Sequence, residues 1–321
     1  MKYVFGPVPS RRLGQSLGID PIPLKTCNWN CVYCQLGRTM PLTLERGEYA
    51  PRHELLAEVE QALAACQPGE IDWATFVGSG EPTLHSGLGW MIRQVKAHTD
   101  LPVAVITNGS LLFLPEVRDE LLAADAVLPT LDAGNAWLYR QINRAAPRFT
   151  FERLIEGIEM FRKVFTGRLW IETMLVKGMN DTAEALGEIA LVLERLQPDH
   201  VHITLPIRPP AEAWVRLSDE AGVRRAEQIL GKIASVSVPS ESEARATRVG
   251  DLAETVLSIV TRHPMREAEL LTLLNRWSAD EVRQALQDLA GRHQVRAVDR
   301  DGLAFWSAAA MSFHTSRGDK K

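Results

Sequence analysis

Between about residues 17 and 235 the chain alternates short runs rich in Val, Ile and Leu with longer stretches whose apolar residues recur every three or four positions. No other feature narrows the fold as much. The β-type runs are Leu17–Leu24, Ile71–Val77, Val103–Thr107, Ala126–Leu131, Leu169–Val176 and Val201–Ile207. Between them lie helical patterns such as HELLAEVEQALAA, FERLIEGIEMFRKVF and AEALGEIALVLERL. Strand–helix alternation at this rhythm implies βαβ units and a parallel sheet with right-handed crossovers, the α/β class. Six such units make either an incomplete barrel or an open doubly wound sheet, and both place their sites at the carboxyl ends of the strands. Polar and Gly-rich segments do follow the strands. A cysteine cluster follows the first, Gly78-Ser79-Gly80-Glu81-Pro82 the second and Asn108-Gly109-Ser110 the third. Thr130-Leu131-Asp132 ends the fourth, and Arg208-Pro209-Pro210 follows the sixth.

The rhythm stops near Ser235. We expect a barrel domain over 1–235, a linker rich in Ser, Glu and Arg over 236–250, a small module over 251–310 and a disordered polar tail over 311–321. The module reads as three helices and a hairpin, a winged-helix-like outline. Its third helix opens on a capping box, Ser278 with Glu281, and its hairpin turns at Asp299-Arg300-Asp301-Gly302. That helix carries Asp280, Glu281 and Asp288, which repel phosphate. A packing or partner-docking role follows, with no tight duplex DNA binding. The net charge of −4 likewise excludes a protein that coats nucleic acid non-specifically. No run approaches the roughly 18 apolar residues of a membrane span. The opening MKYVFGPVPSRR has no signal-peptide core, so a cytoplasmic protein without membrane contact is expected.

Of the 4 cysteines, Cys27, Cys31 and Cys34 share one short loop. In a reducing compartment such clusters are metal ligands or catalytic groups more often than disulfides. Cys66, in an Ala- and Leu-rich helical pattern, reads as a small buried residue. Three thiols suit an iron–sulfur cluster with one open coordination position. Zinc would need a fourth ligand, for which His53 or His85 could be recruited only through the fold.

The Cys-x3-Cys-x2-Cys spacing, the aromatic Tyr33 before the last Cys, and Gly78-Ser79-Gly80-Glu81 after the next strand resemble the radical S-adenosylmethionine (radical SAM) superfamily over about residues 1–235. The resemblance implies that Cys27, Cys31 and Cys34 hold a [4Fe–4S] cluster. S-adenosylmethionine chelates its fourth iron and is cleaved reductively to methionine and a 5′-deoxyadenosyl radical, which abstracts hydrogen from substrate. It also implies a low-potential electron donor of the flavodoxin or ferredoxin type. Tyr33 matches the aromatic against the adenine, and Gly78, Ser79, Gly80 and Glu81 match the Gly-Gly-Glu motif that receives the amino group, with Ser79 in place of a glycine. Asn108 and Thr130 fall where members contact the ribose or carboxylate. With this resemblance we expect the incomplete parallel (β/α)6 barrel. The opening GPVPSRRLGQSLGID is similar to a branch related to the wyosine-forming tRNA enzymes. Those carry extra cysteines upstream, whereas no Cys precedes Cys27 here, so the cofactor chemistry carries over and the tRNA substrate does not. The absence of any Cys after Cys66 also separates the chain from peptide-modifying members with auxiliary clusters.

The sixth run alternates cleanly. Val201, Ile203, Leu205 and Ile207 form an apolar face for the helix layer; His200, His202, Thr204, Pro206 and Arg208 point into the lumen. Arg208, at the carboxyl end, is placed to meet the cofactor carboxylate or a substrate anion. Arg11 and Arg12 read as a solvated pair or as a phosphate site, and Asp132 and Glu172 as acid–base groups or salt-bridge partners. Two functions are carried forward. One is a radical enzyme whose substrate is an RNA nucleoside or other phosphate-bearing molecule; the other is a non-catalytic regulator that senses iron or redox state.

Overall fold

The computed structural model describes residues 1–237 and 251–314. The chain opens with two antiparallel strands, β1 (Val4–Ser10) and β2 (Gly14–Ile19). There follow α1 (Arg52–Ala65), β3 (Trp73–Phe76), α2 (Leu88–His98), β4 (Val103–Thr107), α3 (Pro115–Leu121) and β5 (Ala126–Pro129). Next come α4 (Ala136–Ile142), α5 (Phe151–Val164), β6 (Arg168–Met174), α6 (Ala183–Leu196), β7 (His200–Thr204), α7 (Glu220–Leu230) and β8 (Ala234–Val236). From β2 to β8 every neighbouring pair is parallel, and spatial order equals sequence order. A doubly wound sheet reverses its order at a switch point. This one does not, so the sheet curls as an incomplete barrel with β1 and β8 as its edges.

The helices form where the sequence pattern places them. Thr150 and Thr182 accept from the Arg153 and Ala185 amides and so start α5 and α6. Leu154, Ile158 and Phe161 on α5, and Leu186, Ile189 and Leu196 on α6, then face the core. Each such side chain, fully buried, is worth roughly 1.5–3 kcal/mol over an exposed one.

Each expected β-run overlaps a strand; two strands are additional, only Val103–Thr107 keeps both its bounds, and two of the shifts matter for the site. β1 went unread because Pro7 and Pro9 interrupt it; an edge strand tolerates proline, and a register shift lies between Phe5 and Val8. β8 has only 3 residues. The run expected over Leu17–Leu24 is strand over Gly14–Ile19, and the chain leaves the sheet at Asp20. The Val201–Ile207 run ends at Thr204, ahead of Pro206. Leu205 and Ile207 therefore do not join the helix layer.

The rest is α8 (Leu252–Arg262), α9 (Glu267–Leu273), α10 (Ala279–Gly291) and the hairpin β9 (Val295–Arg300) with β10 (Leu303–Ala308). The Ser278–Glu281 capping box is present. β9 runs through Arg300, so the turn itself is Asp301-Gly302, with φ of 53° and 81°. Val256, Ile259, Leu270, Val282 and Leu286 form a small core that also takes in Phe5 and Val8 of β1. This module thus packs on the antiparallel edge of the barrel. Val236 and Met311–His314 depart from the expected linker and tail. Val236 ends β8, Met311 is buried, and Ser312 and His314 bridge to Gly37 and Glu212. The remainder of both segments, 238–250 and 315–321, lies outside the described residues.

Candidate functional site

A cavity of about 330 Å³ opens at the carboxyl ends of the parallel strands. Cys27, Cys31, Cys34, Tyr33, Gly78, Ser79, Gly80, Glu81, Asn108, Thr130 and Arg208 all line it. The fold therefore brings the candidate cluster and cofactor residues to one cavity, while Asp132, His200 and His202 do not line it.

The cysteine loop is tied down by asparagines. Asn28 donates from Nδ2 to Ser110 Oγ at 2.7 Å and accepts from Asn108 Nδ2 at 2.7 Å. Each sulfur of the triad meets at least one N–H donor. Cys27 Sγ faces the Trp29 amide at 3.5 Å and Asn108 Nδ2 at 3.8 Å. Cys31 Sγ faces Asn143 Nδ2 at 3.9 Å, and Cys34 Sγ faces Lys25 Nζ at 3.4 Å. Lys25, with φ of 67°, sits in the left-handed region and escaped the sequence reading. Burial, with a smaller push from Glu81, raises the Cys27 thiol to about 12, and burial raises Cys31 well above its usual value. In the bare chain these thiols hold their protons, and a metal must displace them to bind. Among the described residues no three His, Cys, Asp or Glu side chains stand ready to hold a metal ion. The fit to a cluster rests on the donor set: three thiols on one cavity wall, each with an N–H pointed at sulfur.

Against the segment leading into the cysteines lies the turn after β3, where the Lys25 amide donates to the Ser79 carbonyl at 2.6 Å and the Glu81 amide to the Thr26 carbonyl at 2.9 Å. Gly80 presses on the segment leading into the cysteines, where a Cβ would stand 1.8 Å from the Thr26 carbonyl oxygen. Ser79 does not leave its hydroxyl for a ligand. Its Oγ and amide donate to Asp20 at 2.6 and 3.0 Å, and its carbonyl is the one that accepts from the Lys25 amide. Glu81 is committed too, accepting from the Thr83 amide and hydroxyl, the Thr107 hydroxyl and the Asn108 amide. Burial raises its pKa, and four donors hold it in place. It positions the ends of β3 and β4. Tyr33 donates its hydroxyl to Asp132, which also accepts from Asn143 Nδ2 at 2.6 Å and the Met174 amide at 2.8 Å. Thr130 bridges to Glu172 across the β5–β6 ends.

One arrangement that the sequence left open between two readings appears here, with two features beyond it. Arg11 and Arg12 line the cavity rather than the outer surface, and Arg12 pairs with Glu172. The C-terminal module lines the cavity as well, through Arg262, His263 and Met265. Gln35, beside Cys34, joins the two halves. Its Nε2 donates to the Arg262 carbonyl at 2.9 Å and to His263 Nδ1 at 3.3 Å, while its Oε1 accepts from Arg208 at 3.1 Å. Leu205 and Ile207, expected against helices, line the cavity beside Arg208. His202 is not on its wall: it stacks edge-on against Trp170, reaches Ser237 Oγ at 3.2 Å, and is depressed to about 3 by burial. His85 offers no metal ligand, since Nε2 donates to the Ala50 carbonyl and Nδ1 accepts from the Gly87 amide.

The sequence matches the radical SAM superfamily over residues 22–190, and the chain belongs to that superfamily, a class of enzymes that generally employ a [4Fe–4S] cluster and S-adenosylmethionine. It is 35% identical over 310 residues to a UPF0026 protein of Methanocaldococcus jannaschii, covering 95% of this chain and 96% of that one. It is 38% identical over 266 residues to a protein named GTPase Obg in Brachyspira hyodysenteriae, covering 82% of this chain but only 39% of that one. A radical SAM methyltransferase from Sphaerobacter thermophilus shares the fold with a TM-score of 0.52 at 22% identity, over 69% of this chain and 66% of that one. No helix among the described residues is long and apolar enough to cross a membrane.

Proposed function

We propose that the chain is a radical SAM enzyme in which Cys27, Cys31 and Cys34 hold a [4Fe–4S] cluster and the cavity holds S-adenosylmethionine beside an unidentified substrate. The observation that carries this is the set of three thiols lining one cavity, each facing an N–H donor, with the Gly78–Glu81 turn bonded to the segment leading into them. When bound, the cluster supplies the electron that cleaves S-adenosylmethionine to methionine and a 5′-deoxyadenosyl radical able to abstract hydrogen. The protein's part is placement. The backbone carbonyls of Gly78 and Gly80 are the acceptors for an amino group, because the Ser79 carbonyl accepts from the Lys25 amide, its side chain is spent on Asp20 and the Glu81 side chain on its four donors. Tyr33, fixed by Asp132, gives an aromatic face on the cavity. Asn108 and Thr130 contribute polar groups at the β4 and β5 ends, and Arg208 adds a cation near Gln35. A low-potential flavodoxin- or ferredoxin-type donor would deliver the electron in the cell.

Anaerobic reconstitution with iron and sulfide, followed by dithionite and S-adenosylmethionine, tests the reading. About four irons per chain and formation of 5′-deoxyadenosine are expected. A loaded cluster without 5′-deoxyadenosine would instead make the chain a sensor, and stoichiometric zinc would remove the cluster assignment.

A further inference from the structure

We propose that Arg11 and Arg208 form an oxyanion subsite that takes a phosphate or carboxylate group of a small-molecule substrate. Four guanidinium groups line the cavity, and two of them are already neutralised: Arg12 by Glu172 and Arg262 by Asp20. The other two meet neutral acceptors. Arg11 donates to the Leu205 carbonyl at 3.4 Å, and Arg208 to Gln35 Oε1 at 3.1 Å. Glu172, and after it Glu269, acts on Arg11, and Glu269 alone on Arg208; Glu172 is paired with Arg12, and Glu269 is held by the Arg266 amide and guanidinium. Desolvation, then repulsion from Arg11, lowers Arg208 to about 10. The same cationic field, after burial, pushes His263 well below its usual value, leaving it the neutral acceptor that Gln35 uses. Like charges gathered in a desolvated cavity are unfavourable until an anion joins them. Two guanidinium forks match the bidentate geometry of phosphate or carboxylate, and two positive charges match a phosphate dianion.

The position of the arginines assigns the anion to substrate rather than cofactor. Residues 22–190 carry the match to the superfamily at large, whereas Arg11, Arg208 and His263 lie outside them. The arginines are inside the cavity, not on an open basic surface, which favours a small molecule over an RNA strand. The assignment to substrate rests on reading the cavity as the reaction chamber; the anion site does not.

Titration calorimetry of the full chain, without added iron or S-adenosylmethionine, tests the site with inorganic phosphate and with acetate. Wild type should bind phosphate, and Arg11→Gln and Arg208→Gln should each weaken it at least tenfold, with Arg208→Lys between. Melting temperatures of both Gln variants should equal or exceed wild type, because a crowded charge has gone. Tighter phosphate than acetate marks a phosphate ester, and the reverse a carboxylate. Phosphate and acetate affinities unchanged in both variants would overturn the subsite. So would an Arg208→Gln variant that loses only S-adenosylmethionine affinity, which returns the group to the cofactor. A single-stranded RNA oligonucleotide that binds more tightly than phosphate, and is lost in the same variants, would overturn the small-molecule class. None of these readouts depends on 5′-deoxyadenosine, so they stand apart from the test of the reaction.

Discussion

The Arg262 guanidinium donates from Nε to Asp20 Oδ2 at 2.8 Å, joining residues 242 positions apart. Their side chains are 11% and 2% exposed, so this is a buried pair. Asp20 also accepts from Ser79 and from the Ile22 amide, while Arg262 reaches the Lys2 carbonyl and lies over the Phe5 ring. Removing one member of a buried pair strands the other. Arg262→Ala should lower the unfolding free energy by about 3 kcal/mol, the low end for such pairs because Asp20 keeps its other donors. Urea unfolding measures this, and a change below 1 kcal/mol would contradict the coupling.

The thiols should separate cleanly. Cys27→Ala, Cys31→Ala or Cys34→Ala should each abolish iron binding on reconstitution, while Cys66→Ala at the end of α1 should retain it. Iron content and the visible absorption of the cluster read the outcome. Loss of iron in the Cys66 variant would count against the assignment.

Two glycines should respond in opposite directions. A methyl at Gly80 meets the Thr26 carbonyl, so Gly80→Ala must displace the turn or the cysteine loop and should destabilise by about 2 kcal/mol or more. Gly187 lies within α6 with nothing within 4 Å of its would-be Cβ, so Gly187→Ala should stabilise by about 0.5–1 kcal/mol. Thermal melts of the two variants check both signs.

Burial raises the Asp132 carboxyl from 3.8 to about 7 despite its three donors. The folded chain therefore holds this proton more tightly than the unfolded one. The group's contribution is full below 3.8 and is lost as pH rises through about 7. An Asn at this position does not titrate. The stability advantage of wild type over Asp132→Asn should therefore shrink between pH 5 and pH 8 by about 2.7 kcal/mol, the two units from pH 5 to about 7 at 1.36 kcal/mol per pK unit. Urea melts at both values decide; an advantage that grows with pH would reverse the sign.

The C-terminal module should not bind duplex DNA tightly. α10 opens with Asp280 and Glu281 and bears Asp288, while Arg283 is paired with Glu267 and Arg262 is spent on Asp20. Fluorescence polarisation of the full chain with random duplex should give weak affinity at physiological salt. Sub-micromolar, salt-sensitive binding would contradict this.

The parallel strands were legible because Val103–Thr107 and its neighbours are buried on both faces and read as unbroken apolar runs. The thiols and the Gly78–Glu81 turn were legible because their spacing is local. The cationic side of the cavity was legible only in part: Arg208 was read into the lumen, which it lines, while Arg262 was not. Arg11 and Arg12 read either as a solvated pair or as a phosphate site because the partner of Arg12, Glu172, arrives from β6, and nothing near Arg262 in sequence points to Asp20. Pro206 ended the alternation that had sent Leu205 and Ile207 outward. Contacts that close over such separations leave no periodicity to read.

The packing of α8 on β1 also sets an order of events during synthesis. Phe5 and Val8 leave the ribosome about 250 residues ahead of the Val256 and Ile259 that cover them. Until then the nascent barrel has an apolar edge in water and a cavity lacking the wall that carries Arg262 and His263. One helix closes both. A translation product stopped short of α8 is therefore an aggregation-prone trough, and the cavity gains its last wall only once α8 has been made.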